Sequence, residues 1–375
     1  MSPTVTVTAV DREGNIAQRF ANYADPVTTV KASGQYPTVN YSALYRTGDA
    51  TLMTTIARLT AKSCLVMDRA GIFECVDFAQ ALDRANYFGY GIYHPNLAEL
   101  VGGFADRSQV VIRMRAHSST QVAPSTGTNN YHLIRTGRLG NLTVEGTDQG
   151  HAYNGYTLYQ GAQPVDGKSA FDNLLITGIP GTDHSPPGET FAINVYDTHG
   201  TSTAHIKIGG PNLEVSGIRT SDGALVGASP IGWNSCTWLD LLGGNFHDTY
   251  TSMPTFWKSS DCTTTDMTSR RCGSSTGVRF GCGINHEEST RIRHTRPKLY
   301  IVNGAIVTQH MSVASQLTDC QVTVTDPTFD HPAYVGGNQF TIAIWANYGT
   351  GEKVTGTLIS VVDAAGAPIP TKIYT

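Results

Sequence analysis

Short alternating or apolar runs recur along the chain from about Cys64 onward, each ending at Gly, Asn, Asp or another polar residue. Runs of this kind are typical of strands with one buried face. One form repeats with little change, as NLTVEG at 141–146, NLLITG at 173–178 and NLEVSG at 212–217. In stacked coils the inward residues would pack on the next coil, Asn would form an amide ladder and Gly would supply the bend. The pattern therefore predicts an all-β parallel β-helix, or solenoid.

Two other fold classes fit the pattern less well. A β-sandwich would need hairpins, but few of the predicted strands are joined by Asn-Gly or Asp-Gly turns. An α/β fold would need a helix-length periodic segment between strands, and none is present. The best helix candidate is Ala50–Ala61, with apolar residues at 52, 53, 56 and 59. A helix there would cover the first coil of the solenoid, which otherwise exposes an apolar layer and an unpaired sheet edge.

The pattern divides the chain into three parts. Residues 1–45 hold an alternating TVTVTAV segment and a polar stretch, which predicts an arm rather than a domain. Residues 46–330 form the predicted solenoid. Residues 331–375 contain longer strands around a turn at Gly349–Glu352, which predicts a β-hairpin-like cap or a subunit-contact region.

Composition narrows the function classes. Charged residues make up 15% of the 375, Gly numbers 39 and the net charge is −4. A chain this close to neutral, without a basic stripe, is not expected to bind nucleic acid. No apolar run approaches the ~20 residues needed to span a bilayer, and the N-terminus lacks a basic and apolar leader. No membrane insertion is therefore expected.

The cysteines and the known short motifs give no sign of a cofactor. Seven cysteines form no CxxC pair and no zinc-type spacing with His. We predict buried thiols that act as small apolar side chains, and a Cys262–Cys272 or Cys272–Cys282 bridge stays open. The sequence lacks a Walker loop, a GxSxG elbow and an HExxH motif. No metal site and no cofactor are predicted.

Three blocks of sequence resemble the minor tail proteins of actinobacterial phages. They are GIYHPNLAELVGGFADRSQVVIRMRAHSST, LGNLTVEGTDQGHAYNGYTLY and GIPGTDHSPPGETFAINVYDTHG, and the resemblance covers about residues 60–330. It implies a pectate-lyase-like, right-handed parallel β-helix in a virion tail or tail tip, assembled in the host cytoplasm and acting outside the cell. It also implies a homotrimer that contacts other tail proteins and the host envelope, with residues 1–45 as the attachment. It transfers no catalytic residue.

Candidate acid–base residues surround one predicted strand. Asp197 and His199 are two apart and can share a strand face, and Asp183 and Glu189 lie in the loop before them. Such a group could abstract a proton or hydrolyse a glycan, although polar loop residues more often only close turns. The adjacent residues of Glu287–Glu288 would point to opposite faces of a strand, which does not suit a glycosidase pair.

Candidate sugar-contact residues are densest between positions 148 and 159. Tyr rings can stack on sugars while amides and carboxylates bind hydroxyls, but such residues also pack in ordinary sheets. A second polar and aromatic region holds Trp233, Trp238, Trp257, His247 and Asp248. Of its tryptophans, the one in TWLDLL is expected in the core, and the one after Pro254 is predicted in a loop where it could be exposed, with ordinary packing as the alternative for the whole region. The glycan-contact candidates are Asp148, His151, Tyr153, Asn154, Tyr156 and Trp257.

Basic side chains offer a weaker signal. Arg270–Arg271 and the run Arg291, Arg293, His294, Arg296 could face an anionic polymer such as teichoic acid, line a subunit interface or be simply solvated.

The leading hypothesis is a phage tail protein of the tailspike kind that recognises a host cell-surface glycan along its lateral face. The alternatives are a polysaccharide-degrading enzyme on the same scaffold, either a glycoside hydrolase or a polysaccharide lyase, and a purely structural tail subunit. The fold alone does not separate these functions.

Overall fold

A computed structural model describes the chain in segments that fall into two compact units. Unit 1 comprises Met1–Ile193 and Thr220–Val226, and unit 2 comprises Asn194–Arg219 and Gly227–Thr375. The described residues are 36–74, 82–83, 88–92, 94–113, 130–145, 154–160, 169–177, 180–181, 190–196, 198–216, 219–220, 228–247, 255–272, 284–301, 307–310, 316–318, 321–325, 344–347, 353–355 and 358–362.

Unit 1 consists mainly of parallel strands. Its first sheet has the order β1-β2-β6-β9-β11, with β3 and β7 added beside β9. Its second sheet pairs β5, β8 and β10 in parallel, and β4 joins β5 antiparallel. The strands are β1 (Thr38–Asn40), β2 (Ser63–Met67), β3 (Gly71–Glu74), β4 (Leu82–Asp83), β5 (Phe88–Ile92), β6 (Leu97–Gly102), β7 (Val110–Arg113), β8 (Asn130–Arg135), β9 (Arg138–Glu145), β10 (Asn154–Gln160), β11 (Phe171–Thr177) and β12 (Pro180–Gly181).

Short helices precede the stacked strands of unit 1. The chain forms α1 (Tyr41–Leu44) and α2 (Leu52–Ile56), and a 3-10 turn at Arg107–Gln109. The helix predicted at 50–61 is therefore confirmed in position but is shorter. The Thr51 side chain accepts a hydrogen bond from the Thr54 amide and so caps its start. No described helix is long and apolar enough to cross a membrane.

The predicted Asn ladder is present in unit 1. Asn173 Nδ2 donates to Asn141 Oδ1 at 3.2 Å and to the Ala105 carbonyl at 2.9 Å. Both asparagines have φ near +50°, which Asn tolerates better than most residues because its side chain bonds locally. The repeated NL motif thus serves both the bend and the stacking of coils.

Replacing Asn173 with Ala is expected to lower the free energy of unfolding by about 2 kcal/mol, because it removes the amide bonds and places a Cβ residue at positive φ. Asn173→Gly loses the same bonds but suits the backbone, so it should cost only about half as much. Urea unfolding of both variants measures the two terms. Equal losses would show that the backbone angle contributes nothing.

Unit 2 contains three parallel sheets. Sheet 1 has the order β14-β18-β21-β24-β27-β30, sheet 2 β15-β19-β22-β25-β28-β31, and sheet 3 β17-β20-β23-β26-β29. The chain visits sheets 1, 2 and 3 in turn and then repeats, so each coil adds one strand to each sheet. This is the topology of a parallel β-helix, as predicted, and each described coil of unit 2 has three sides.

The strand bounds of unit 2 follow the same order. β13 (Thr190–Tyr196) and β16 (Arg219–Thr220) contain the unit boundaries. The other strands are β14 (Ile206–Ile208), β15 (Glu214–Ser216), β17 (Ala228–Asn234), β18 (Leu239–Leu242), β19 (Asn245–His247), β20 (Thr255–Trp257), β21 (Thr263–Thr265), β22 (Thr268–Cys272), β23 (Ile284–Glu287), β24 (Arg293–Thr295), β25 (Lys298–Ile301), β26 (Val307–His310), β27 (Gln316–Thr318), β28 (Gln321–Thr325), β29 (Ile344–Asn347), β30 (Lys353–Thr355) and β31 (Leu358–Val362).

The predicted C-terminal hairpin is wrong for these strands. β29, β30 and β31 each pair in parallel with the preceding coil, through β26, β27 and β28. The chain therefore passes from sheet 3 at β29 to sheet 1 at β30, and β30 does not pair back onto β29. A short polar turn between two strands does not by itself determine whether the chain reverses or turns a corner.

The described corners of the unit 2 coil, which lie on either side of sheet 1, contain left-handed residues. Equivalent positions in successive coils share a positive φ, and these positions are Ser235, Lys258 and Glu288 after sheet 3, Trp238, Asp261 and Arg291 before sheet 1, and Gly243, Asp266 and Arg296 after sheet 1. Only Gly adopts this conformation without cost, and other residues lose roughly 1–2 kcal/mol there. Each non-Gly residue at these corners therefore carries a conformational free-energy cost.

The interior of unit 2 is filled by columns of side chains that stack from coil to coil. Sheet 3 contributes Trp233, Phe256 and His286 in register, all at most 1% exposed. Sheet 1 contributes Leu241, Thr264 and His294, all fully buried. Two imidazoles thus lie inside the core, where they must remain uncharged.

The described cysteines of unit 2 agree with the predicted role of a buried apolar thiol. Cys236 and Cys262 form no disulfide and are fully buried. Burial raises the pKa of the Cys262 thiol to about 12, so it stays protonated. The Cys262–Cys272 bridge is therefore wrong, and Cys282 lies outside the described residues.

Candidate functional site

The outer face of sheet 1 in unit 2 carries a row of charged and hydroxyl side chains. Lys207, Asp240, Thr263 and Arg293 are register partners on four successive strands. Their neighbours along each strand are buried, so alternation directs these four side chains outward. Because adjacent strands lie ~4.8 Å apart, the row runs along the coil axis with one side chain per strand.

Asp240 holds two neighbours in place at the centre of this row. Its Oδ1 lies 2.8 Å from Nδ1 of His205 and accepts a hydrogen bond from the Thr263 hydroxyl at 2.6 Å. A carboxylate acceptor fixes the proton of a neutral imidazole on Nδ1, which leaves Nε2 as the acceptor. All three side chains are partly exposed. The cluster therefore presents oriented polar atoms to solvent.

Trp238 stands beside this cluster. Its indole is partly exposed, and its ring lies 5.2 Å from the His205 ring at an angle of 54°. It occupies the left-handed corner, with φ of 58°, that polar residues occupy in the next two coils. A bulky residue at such an angle is strained, but the angle recurs in successive coils, so the feature particular to this coil is the indole and not the angle. We call Trp238, His205, Lys207, Asp240, Thr263 and Arg293 the sheet 1 face.

Ion pairs border the sheet 1 face. Arg291 binds Asp261 through two hydrogen bonds of 2.6 and 2.5 Å, and Arg296 binds Asp266 through two of 2.8 Å. In each pair, the arginine's hydrogen bonds are the main cause of the lowered aspartate pKa. Both carboxylates are therefore ionised and engaged at neutral pH, which leaves Asp240 as the carboxylate within the face itself.

His199 extends the polar surface beside Trp238. Its Nδ1 lies 3.0 Å from the Thr237 hydroxyl, and residues 199, 237, 260 and 290 form a bridged row next to sheet 1. Of the predicted acid–base group, only this exposed histidine lies among the described residues, since Asp183, Glu189 and Asp197 fall outside them.

The predicted sugar-contact cluster is described only in part. Asp148, His151 and Tyr153 lie outside the described residues. Asn154 and Tyr156 lie on β10, where their backbones pair with Asn130 and Tyr131 of β8. Their role as glycan contacts stays a prediction.

The tryptophans of unit 2 are placed differently from the prediction. Trp257 was expected to be exposed, but it is 7% exposed, and the Lys258 ammonium lies 4.2 Å above its ring. It is not available as a sugar platform because it belongs to a strand, not to the loop after Pro254. Trp238 was expected in the core and is instead partly exposed at a corner.

The basic run splits between surface and core. Arg291 and Arg296 are ion-paired, Arg293 is exposed and His294 is fully buried. The prediction that His294 shares a surface with the arginines is wrong, because strand alternation directs it inward. Arg270 donates to Asn245 at 3.2 Å on the outer face of sheet 2.

Two further polar contacts lie on the described outer surface of unit 2. His247 Nε2 lies 3.0 Å from Glu214 Oε1, and the Lys258 ammonium lies 3.6 Å from Glu288. The described part of the chain contains no group of three or more His, Cys, Asp or Glu side chains that could hold a metal ion.

No protein-family model matches the sequence, and no curated protein matches it. Among solved structures, the A-module of the Azotobacter vinelandii mannuronan C-5 epimerase AlgE6 aligns over 86% of this chain and 99% of its own, with 10% identity and a TM-score of 0.36. The A-module of AlgE4 from the same organism aligns over 90% of this chain and 100% of its own, with 10% identity and a TM-score of 0.32. Likenesses at this level do not bear on function.

Proposed function

We propose that this chain is a bacteriophage tail protein that binds a host cell-surface polysaccharide through the sheet 1 face. The observation that carries the proposal is Trp238, a partly exposed indole kept at a strained corner beside the hydrogen-bonded cluster of His205, Asp240 and Thr263. An aromatic ring next to oriented carboxylate, hydroxyl and imidazole groups suits a ligand with an apolar ring face and several hydroxyls. The sequence blocks that resemble phage tail proteins support the biological setting.

The repeat of the scaffold also favours a polymer over a single sugar. Successive strands are ~4.8 Å apart, close to the length of one sugar residue in an extended chain. A polysaccharide lying along the coil axis could therefore place about one sugar unit against each outward side chain of the row.

Trp238→Ala is expected to weaken binding to isolated actinobacterial cell-wall polysaccharide about tenfold, since a central aromatic anchor typically contributes more than 1 kcal/mol. Co-sedimentation over a range of polysaccharide concentrations measures the change. Tyr45→Ala is the matched control, because it removes a partly exposed aromatic ring from unit 1 and should leave binding unchanged.

Three other results of this assay would each lead to a different conclusion about the site or the function. Binding by wild type that Trp238→Ala does not weaken would move the site away from the sheet 1 face. No binding to the polysaccharide of a confirmed host would favour the purely structural tail subunit. New reducing ends or unsaturated products would indicate catalysis.

The His205–Asp240 pair gives a specific reason to keep an enzyme as the second candidate. A histidine oriented by a carboxylate, with Nε2 left as an acceptor, is the usual form of a general base. A lyase fits this face better than a glycoside hydrolase, because hydrolysis needs a second carboxylate and Asp261 and Asp266 are engaged in ion pairs. If the protein cleaves a wall polymer, His205→Gln should abolish turnover and spare binding.

The proposed tail protein would act as a homotrimer attached to other tail proteins. Light scattering of the purified chain tests this, because a particle near 40.2 kDa is a single chain and a trimer is three times heavier.

A further inference from the structure

Lys207 and Arg293 are two exposed cations at opposite ends of the row on sheet 1. Among the residues that the structure describes, neither charged group makes a hydrogen bond or an ion pair within 4 Å, although the charge of Arg293 contributes to the lowered pKa of Asp261, which Arg291 already binds. Register places them three strand spacings apart, or ~14 Å along the coil axis. A pair of unpartnered cations on one face is a feature that a ligand could use.

Four other basic side chains of unit 2 are partnered, in contrast, whereas Lys298 on sheet 2 is exposed in the same way as Lys207 and Arg293. Arg291 and Arg296 each hold a carboxylate in a bidentate ion pair, Arg270 donates to Asn245, and Lys258 lies over Trp257 and near Glu288. Bidentate pairing satisfies a guanidinium and neutralises its charge locally. These residues therefore offer little attraction to a further anion, whereas Lys207 and Arg293 do.

The charge of Asp240 does not cancel this attraction. Its Oδ1 already accepts hydrogen bonds from His205 and Thr263, and it is one anion between two cations. The sheet 1 face therefore carries one net positive charge even with neutral histidines, on a chain whose net charge is −4. Local charge opposite to the net charge of a protein raises the concentration of oppositely charged ligands at that surface.

We infer that the polysaccharide bound here is acidic and carries carboxylates on its sugar rings. This inference rests on the proposed function and specifies its substrate class. Lys207 and Arg293 would bind carboxylates at two points of the chain, while Trp238, in a coil between them, stacks on a sugar ring and Asp240 accepts its hydroxyls. The ring platform favours a uronic acid polymer over a polyol phosphate, which has no ring between its charges.

The first test compares three forms of the same cell-wall polysaccharide. One is intact, one has its carboxylates reduced to hydroxymethyl groups, and one has its phosphodiesters removed with hydrofluoric acid. Carboxyl reduction keeps the sugar rings and removes only the charge. We expect it to weaken binding at least tenfold, and we expect phosphate removal to have no effect.

The second test uses variants that remove charge and keep length. Lys207→Gln and Arg293→Gln should each weaken binding of the intact polymer roughly fivefold, and the double variant about twentyfold. Lys298→Gln and Arg270→Gln are the matched controls, since both remove an exposed cation from the outer face of sheet 2. The salt dependence of binding should fall in the double variant and not in the controls.

The outcomes separate this inference from the proposed function. Suppose that the intact polysaccharide binds and that Trp238→Ala weakens this binding, but that carboxyl reduction has no effect. The inference that the polysaccharide is acidic would then be wrong, and the proposal that the sheet 1 face binds a glycan would be retained. If phosphate removal abolishes binding, the ligand is a phosphate polymer and the inference is overturned. If the control variants lose as much affinity as Lys207→Gln and Arg293→Gln, attraction is nonspecific and the inference also fails.

Discussion

Lowering the pH from 7.5 to 5 is expected to reduce the free energy of unfolding of unit 2 by about 4 kcal/mol, through His286 and His294 alone. Both imidazoles are fully buried, and burial lowers the pKa of each below its usual value. The unfolded chain binds protons at these histidines below pH ~6.5 and the folded chain does not, so stability falls as the pH falls. With two groups, the slope approaches about 2.7 kcal/mol per pH unit.

The geometry explains why the pair stays neutral. His286 Nε2 and His294 Nε2 are 2.8 Å apart, so one must donate and the other accept. His294 Nδ1 bonds to the Thr264 hydroxyl at 2.7 Å, while His286 Nδ1 has no partner among the described residues. The ring of Phe256 lies against both imidazoles. Burial disfavours a positive charge on either imidazole, and a charge on His286 would further disfavour a charge on His294.

The measurement is urea unfolding followed by tryptophan fluorescence at a series of pH values. The control is His286→Leu/His294→Leu, which removes both imidazoles and should make stability nearly independent of pH from 7.5 to 5. Asp261 and Asp266 do not interfere, because carboxylates with a lowered pKa lose their contribution only below pH ~4. The same pH slope in wild type and the double variant would assign the acid sensitivity to other groups.

The fold was largely accessible from the sequence because stacking leaves a repeated signature. In unit 1 the NL motif marks left-handed bends at Asn141 and Asn173, and these two asparagines form the expected amide bond. The C-terminal hairpin was predicted wrongly because a polar turn between two strands looks the same whether the chain reverses or turns a corner. Only the pairing of β29, β30 and β31 with the preceding coil distinguishes the two.

The sheet 1 face was harder to predict, although its signal is in the sequence. His205, Lys207 and Asp240 lie in AHIKI and TWLDLL, where single polar residues alternate with buried ones. These two segments become neighbours only through the coil register, since 35 positions separate His205 from Asp240. Strand alternation in the sequence identifies each of these polar side chains as pointing outward. It does not show which outward side chains become neighbours on successive coils.

The left-handed corners also explain the misplaced tryptophan. Trp238 directly precedes an apolar strand, so hydropathy alone suggests a core residue. The corner turns its side chain away from the interior, and the equivalent residues Asp261 and Arg291 show that the position belongs to the surface. Alignment of coils, rather than hydropathy, is the signal that would have found it.

Phe256→Ala is expected to lower the free energy of unfolding of unit 2 by about 4 kcal/mol, among the largest effects of any single substitution in the chain. The Phe256 ring is fully buried between coils and stacks on Trp233 with centroids 4.5 Å apart and planes 4° apart. Its edge contacts reach His286 and His294 at 5.4 and 5.6 Å. Truncation would therefore remove a ring from the middle of the column and leave a cavity bounded by an indole and two imidazoles.

Urea unfolding at pH 7.5 measures the loss, and Phe256→Leu is the matched control, because it keeps most of the volume and should cost only about 1–1.5 kcal/mol. Added benzene should restore part of the stability of Phe256→Ala, since an aromatic ring can replace the lost phenyl group against the Trp233 indole, and should have no effect on Phe256→Leu. A loss below about 2 kcal/mol without benzene rescue would mean that the neighbouring coils relax into the cavity, and that this column of the core is deformable. A large loss with rescue would establish the column as the rigid support on which the adjacent surface rows are built.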